Sequence, residues 1–323
     1  MNTFGKNYRI SIFGESHGAC VGATLDGVPA GLELDFNLIK SESARRAPGQ
    51  NEFSTPRTEA DEWQILSGVL DGIATGAPLT AIIENKNTRS GDYKTEFLRP
   101  GHADISAYHK FEGKSDMRGG GQFSGRLTAP LVFAGAIAKQ ILSTYGITIT
   151  SEIKDEAALK ERTLAAKEQH DSVGGIITCT AAGVPPGLGE PFFDSFESVL
   201  SHLLFSVPAV KGIEFGTGFA LANMPGSTAN DSLYYDGGTI KSRTNHNGGV
   251  QGGITTGAAD IVFSTVIKPT PSIGIEQDTV NTNTKENVKH TITGRHDPCI
   301  VFRAKPVIEA CAAIVLLDFI FNN

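Results

Sequence analysis

The sequence has few cysteines, and none of them is spaced as a pair. Cys20, Cys179, Cys299 and Cys311 are scattered along the chain with no C-x-x-C motif. This speaks against a disulfide framework or a zinc site and fits reduced thiols in a cytoplasmic protein. Long hydrophobic runs are also missing. The longest, PVIEACAAIVLLDFIF at 306–321, is interrupted by Glu309 and Asp318 and is too short to span a bilayer, so it is expected to be a buried C-terminal helix. The first residues, MNTFGKNYRI, lack the apolar core of a signal peptide, and none is expected. Basic charge is in deficit, with 28 Lys and Arg against 35 Asp and Glu and a net charge of −7. The surface as a whole is therefore not expected to bind nucleic acid or an anionic membrane. No P-loop, G-x-G-x-x-G fingerprint or metal-ligand triad occurs, which argues against an NTPase or a Rossmann dehydrogenase.

What the chain does have is glycine, 37 in 323 residues, and a pattern that returns. DGVPAGLEL at 26–34 recurs as AGVPPGLGE at 182–190, each after a strand-like run. GVLDGIATGA at 68–77 recurs as GVQGGITTGA at 249–258, with seven of ten positions identical. Two pairs in the same order imply two copies of one strand-and-turn unit, related by an approximate two-fold axis and sharing one core. With no long linker and no low-complexity tract, residues 1–323 read as a single α/β domain with internal pseudo-symmetry.

Helical patterns begin at Asp35, which can cap FNLIKSESARR, and at Thr128, ahead of APLVFAGAIAKQILSTYG with Gly146 as its stop. Asp194 is the expected cap of DSFESVLSHLLF, Pro306 opens the last helix, and the polar stretch 152–172 is expected to be a solvated helix. NYRISIF, WQILSGV, LTAIIE, GIITCTA and DIVFSTVI read as strands, several placed for antiparallel pairing.

Gly14-Glu15-Ser16-His17-Gly18 fits G-x-S-x-G, the pattern of a serine nucleophile elbow. The context opposes that reading. Only thirteen residues precede Gly14, and ACVGATLDGVPAGL after it is strand and turn where an elbow needs a helix. His17, between two residues that include a flanking glycine able to admit a ligand closely, is the more interesting side chain.

Other polar residues also sit in glycine-rich turns: Arg45 and Arg46 in RRAPGQNEFSTPR, Arg99 and His102 in RPGHAD, Ser124 between Arg118 and Arg126 in RGGGQFSGR, then TNHNGGVQGG, KPTPS, and Arg295, His296 and Asp297 in GRHDPC. Each has an ordinary explanation. Asp before Pro makes turns, helix-terminal arginines complement the dipole, and a lone histidine is usually structural. Together, arginines and histidines gathered in glycine loops of an acidic chain imply a local positive pocket for a small polyanion, since the planar fork of Arg suits carboxylate and phosphate. A histidine there could protonate a phosphate leaving group.

Those stretches, in that order from residue 13 to 306, resemble chorismate synthase. The resemblance implies a β-α-β sandwich of antiparallel sheets around central helices, a homotetramer, and a phosphate-releasing lyase of the shikimate pathway and aromatic amino acid biosynthesis. It would convert 5-enolpyruvylshikimate-3-phosphate to chorismate by 1,4-anti elimination, with reduced FMN required and NADPH a source of reducing equivalents. By the same resemblance His17 assists phosphate departure, His102 lies at the flavin N1 region, and Asp297 works with flavin N5 in removing the C6 proton. Flavin contacts are implied for Gln122, Phe123, Ser124, Pro208, Ala209, Gly252, Lys268, Pro269, Thr270, Pro271, Ser272 and Arg295. Substrate contacts are implied for Arg45, Arg46, Arg99 and Arg126. Gln122 stands where many members carry Arg, and Glu52 where a second basic residue is expected. A non-catalytic flavin- or nucleotide-binding protein on the same scaffold is the alternative, favoured only if His17 or Asp297 were missing.

Overall fold

The structure is a computed structural model that describes residues 2–49, 53, 61–86, 95–292 and 297–322. The first half of the chain runs β1 (Thr3–Phe4), β2 (Arg9–Gly14), β3 (Cys20–Asp26), α1 (Phe36–Arg46), β4 (Gln64–Ser67), the small hairpin β5 (Val69–Leu70) and β6 (Ile73–Ala74), β7 (Leu79–Glu84), α2 (Asp104–Lys110) and α3 (Thr128–Ser143). The second runs β8 (Thr148–Ile153), α4 (Glu156–Glu168), β9 (Gly175–Ala182), α5 (Phe196–Leu204), β10 (Val210–Phe215) and a single turn α6 (Gly226–Ala229). It continues with the hairpins β11 (Leu233–Asp236) with β12 (Thr239–Ser242) and β13 (Val250–Gln251) with β14 (Ile254–Thr255). Then come β15 (Ile261–Ile267), the hairpin β16 (Gln277–Asn281) with β17 (Glu286–His290), and α7 (Val301–Ile320).

Two antiparallel sheets form, in the orders β1-β2-β3-β7-β4 and β10-β15-β9-β8. Buried residues alternate along β7, β9 and β15, so each of these strands turns one face to the core. The central helices lie between the sheets: α3 touches β2, β3 and β8, and α7 touches β8, β9 and α3. Both are apolar around most of their circumference and buried along most of their length, as helices enclosed by protein must be. Gly135 lets them approach, because a side chain there would collide with Ala310.

The recurrence seen in the sequence has a counterpart in hydrogen bonds. Gly31 N donates to Ala74 O and Ala74 N to Leu32 O; in the second half Gly187 N donates to Thr255 O and Thr255 N to Leu188 O. The hairpins share a register, Val69 opposite Ala74 and Val250 opposite Thr255. Their closing bonds also match, from Thr75 N to Gly68 O and from Thr256 N to Gly249 O. In each half the Gly-Val-Pro turn follows a strand (β3, β9) that pairs with the strand after the hairpin (β7, β15).

The two acids that interrupt the apolar C-terminal stretch are internal anchors. Asp318 accepts from the backbone N–H of Lys6, Asn7 and Tyr8 at 2.6–3.0 Å. Glu309 accepts from Arg45, Lys139 and Ser151. Among the described residues no helix is long and apolar enough to cross a membrane.

Two helix starts differ from the sequence reading. Ser195, not Asp194, caps α5 by accepting from Ser198 N, while Asp194 is engaged by Lys6 at 2.6 Å. Helix α7 begins at Val301, five residues before Pro306, so its opening turns include Arg303. The expected cap at Asp35 is present, accepting from Leu38 N at 2.9 Å. The polar stretch forms α4, with Leu159, Thr163 and Ala166 turned inward.

Candidate active site

A cavity of about 670 Å³ opens where the end of α1, the glycine turn before α3, the segment before β10, the segment after β15 and the start of α7 meet. Residues 118–127 form two successive tight turns, the first kinked at Gly119, Gly120 and Gly121, which all take positive φ, a conformation open to glycine and costly for other residues. The tightness has a reason. A side chain on Gly119 would strike the ring of His17 and Ser16 Oγ, and one on Gly120 would come within 3.1 Å of His102. The turn thus carries two histidines against its glycine backbone, one on each of two neighbouring residues.

His102 is held from behind. Its Nδ1 lies 2.6 Å from Asp104 Oδ1, and because an ionised carboxylate only accepts, that contact puts a proton on Nδ1. Asp104 also receives Arg99 through Nε at 2.7 Å and Nη2 at 2.8 Å. Burial alone would raise the Asp104 carboxyl, but the bonds from Arg99 and His102 outweigh it and hold the group well below the usual range.

The cationic wall comes from α1, the glycine turn and α7. Arg46 and Arg126 are buried and line the cavity together with Arg303. Burial pushes the Arg46 guanidinium down to about 10; Arg303 and Arg126 add to that, and Asp61 opposes it. Arg303 donates to Asp297 Oδ2 at 2.6 Å, fixing that carboxylate at the cavity edge. Lys268 and Lys211 also line the space; Lys268 is lowered by burial and then by the charge of Lys211.

A profile of the family described as chorismate synthase matches residues 8–321. The chain belongs to the chorismate synthase family. A chorismate synthase of Chitinophaga pinensis is 50% identical over 99% of this chain and 96% of its own length. One of Methanosarcina acetivorans is 43% identical over 100% of this chain and 96% of its own. A crystal structure of chorismate synthase superposes with a TM-score of 0.77 at 27% identity, covering 98% of this chain and 93% of that one.

Measured against the residues that the resemblance implied, the cavity is lined by His102, Asp297, Gln122, Phe123, Ser124, Pro208, Ala209, Lys268, Thr270, Pro271, Ser272, Arg46, Arg99 and Arg126. His17 is not among its lining; its ring packs against Gly119, which is. Three further residues are also absent from its lining. Pro269 is flanked on both sides by residues that do line it, and Gly252 sits in the turn between β13 and β14. The Arg45 guanidinium is taken up by Glu42 and Glu309, each at 2.7 Å, which turns it toward the helix layer. Arg99 does line the cavity, but its fork is directed at Asp104. Glu52 and Arg295 lie outside the described residues. Ser16 is buried, and its hydroxyl donates to the carbonyls of Arg118 and Gly119, with a strand following the turn where an elbow would have a helix.

Sequence reading missed Asp61, Asp104, Arg303 and Lys211. Asp104 was visible inside RPGHAD two residues from His102, whereas nothing in the sequence around Asp61 marked it as a partner of Arg46 and Arg126. The donor set fits a reduced flavin. Apolar side chains (Phe123, Val207, Pro208, Pro271) suit a planar ring, cations (Lys211, Lys268) suit a phosphate, and the volume lies in the range of ligand pockets, about 300–1,000 Å³.

Proposed function

We propose that this cavity is where the chain converts 5-enolpyruvylshikimate-3-phosphate to chorismate and inorganic phosphate. Chorismate formation, a step of the shikimate pathway, is the activity of the family to which the chain belongs, and that reaction requires a reduced flavin. The observation that carries the placement is the meeting of Arg46, Arg126, His102 and Asp297 around one cavity although they are far apart in sequence.

The substrate bears two carboxylates and a phosphate. Arg46 and Arg126 supply buried, directional donors for such groups. The 1,4-anti elimination breaks the bond from carbon to the phosphate oxygen and removes the C6 proton, leaving one new double bond. His17, against Gly119, donates a proton to the departing phosphate. Asp297, steadied by Arg303, accepts the C6 proton at its carboxylate. His102, with Nδ1 bonded to Asp104, presents its other edge toward the glycine turn, where it orients the cofactor ring. When bound, the reduced flavin supplies transient electron density to the substrate, and the reaction has no net redox change.

FMN is the proposed flavin, held by Gln122, Phe123, Ser124, Pro208, Ala209 and Lys268 to Ser272, and NADPH the proposed source of reducing equivalents. The chain is proposed to work in the cytoplasm as a homotetramer. Support for self-association comes from large apolar side chains left in water, Phe192 at 85%, Phe193 at 93% and Phe219 at 82% exposure.

Anaerobic assays with 5-enolpyruvylshikimate-3-phosphate test the reading. Photoreduced FMN should give equimolar phosphate and chorismate, and oxidised FMN without a reductant should give neither. Turnover with oxidised FMN alone would refute it.

A further inference from the structure

We propose that Asp61 is the positioning residue of the anion pocket: its single carboxylate aligns Arg46 with Arg126 so that both guanidinium groups meet the substrate from fixed directions. The inference rests on the substrate reading above and adds a residue to it.

The Asp61 side chain is 1% exposed. One oxygen accepts from Nε of Arg46 at 3.0 Å, and the other accepts from Nη1 of Arg126. The two arginines arrive on unrelated elements, the last residue of α1 and the turn before α3, so neither element fixes the angle between them. A carboxylate with one guanidinium on each oxygen does fix it. It also meets an electrostatic need. Arg46, Arg126 and Arg303 crowd one buried wall, and a buried cation without a partner is strongly destabilising.

The bonds continue in both directions. Arg126 Nε donates to Asn85 Oδ1 at 3.2 Å, and Asn85 Nδ2 donates to the carbonyls of Glu15 and Gly18 at 2.9 and 3.0 Å, the loop that carries His17. On the other side Arg303 Nε donates to the Arg46 carbonyl at 3.0 Å, while its Nη1 holds Asp297. Asp61 is therefore the midpoint of an unbroken path from the His17 loop to Asp297. The groups proposed for the two ends of the elimination are held by one framework, and the substrate's anions dock on its middle.

The test uses the full chain with Asp61→Asn, which keeps the volume and removes one acceptor. Substrate affinity, measured by calorimetry without flavin, is expected to weaken about tenfold or more. The KM in the reduced-flavin assay should rise with it, while kcat changes far less. Combined with Arg126→Lys, the cost should be smaller than the sum of the two single changes, because the alignment is already lost. A folded Asp61→Asn with wild-type affinity, or a loss of stability alone, would overturn the proposal, as would strict additivity. If Asp61→Asn does not fold, Asp61→Glu decides: the charge stays and the carboxylate moves by one methylene. Several-fold weaker binding supports the clamp, and unchanged binding overturns it. Inorganic phosphate, used at constant ionic strength as a probe of thermal protection, separates this idea from the substrate reading. Phosphate protection of the wild type that disappears in Asp61→Asn upholds the clamp even if the organic substrate fails to bind. Absence of protection by either ligand in the wild type overturns both.

Discussion

Asp104 Oδ1 stands 2.6 Å from Nδ1 of His102, and the same carboxylate receives two bonds from the fork of Arg99. The three residues form one unit in which Arg99 fixes the acid and the acid fixes the ring. Asp104→Asn keeps the shape but can present an N–H to Nδ1 and favour the other tautomer. The expected result is a fall in kcat of about tenfold or more with altered flavin affinity, smaller than the roughly 10²- to 10⁴-fold attached to a positioned acid or base. Arg99→Lys should reproduce the Asp104→Asn phenotype, since a lysine cannot repeat the bidentate contact. If Arg99→Lys instead raised the substrate KM with flavin affinity intact, Arg99 would be an anion ligand after all.

The contact between Arg99 and Asp104 shows how far the sequence could be read. Strands β7, β9 and β15 were legible because apolar and polar residues alternate along them, and α1 because Asp35 is followed by a helical pattern. The hairpin of β11 and β12 was missed although Asp236-Gly237-Gly238 is a strong turn signal, with both glycines at positive φ. Proline favours the first turn of a helix, so the sequence places the start of the last helix at Pro306. The helix starts earlier, at Val301, with residues 302–305 half-buried and Pro306 tolerated in its second turn, and this brings Arg303 beside Asp297. Partners such as Arg126 with Asp61, or Arg45 with Glu309, are set by packing between remote segments, and no local periodicity encodes them.

His17→Ala and Asp297→Asn should each lower kcat by about 10²- to 10⁴-fold. Their stabilities should differ. His17 lies in the turn after β2, and its removal opens space against Gly119, whereas Asp297→Asn breaks a part-buried 2.6 Å ion pair with Arg303 and should cost about 1–3 kcal/mol. Thermal melts beside the anaerobic assay check both. Unaltered kcat in the two variants would remove these residues from the mechanism and leave the fold untouched.

Glu309 predicts a stability change with pH. Burial would raise its carboxyl, but the bond from Arg45, the charge and bond of Lys139 and the Ser151 hydroxyl outweigh that and hold it at about 2, against 4.5 ordinarily. The folded value is the lower one, so the stabilisation is complete above the unfolded value and is lost as pH falls through the folded one. The urea midpoint of the wild type should drop between about pH 5 and pH 2, and the drop should be smaller in Glu309→Gln. At neutral pH that variant should be less stable by about 3 kcal/mol or more, because Arg45 and Lys139 would then share only Glu42. Parallel curves for the two proteins would show that Glu309 does not titrate in this window.

Gly119→Ala tests whether the glycine turn is built around His17. The residue has φ of +58°, where a Cβ is disfavoured by about 1–2 kcal/mol, and the added methyl would strike the imidazole and Ser16 Oγ. Either the ring swings away or the turn shifts, and the turn carries the backbone that leads to Ser124 and Arg126. Activity should therefore fall toward that of His17→Ala, with a stability loss of about 1–3 kcal/mol from overpacking. Gly226→Ala is the control, since that glycine lies in α6 with nothing within 4 Å of an added Cβ and should change neither quantity. Combining Gly119→Ala with His17→Ala should recover stability, because the colliding ring is gone, without recovering rate. A Gly119→Ala enzyme with wild-type kcat would mean that the contact between the turn and His17 plays no part in the reaction.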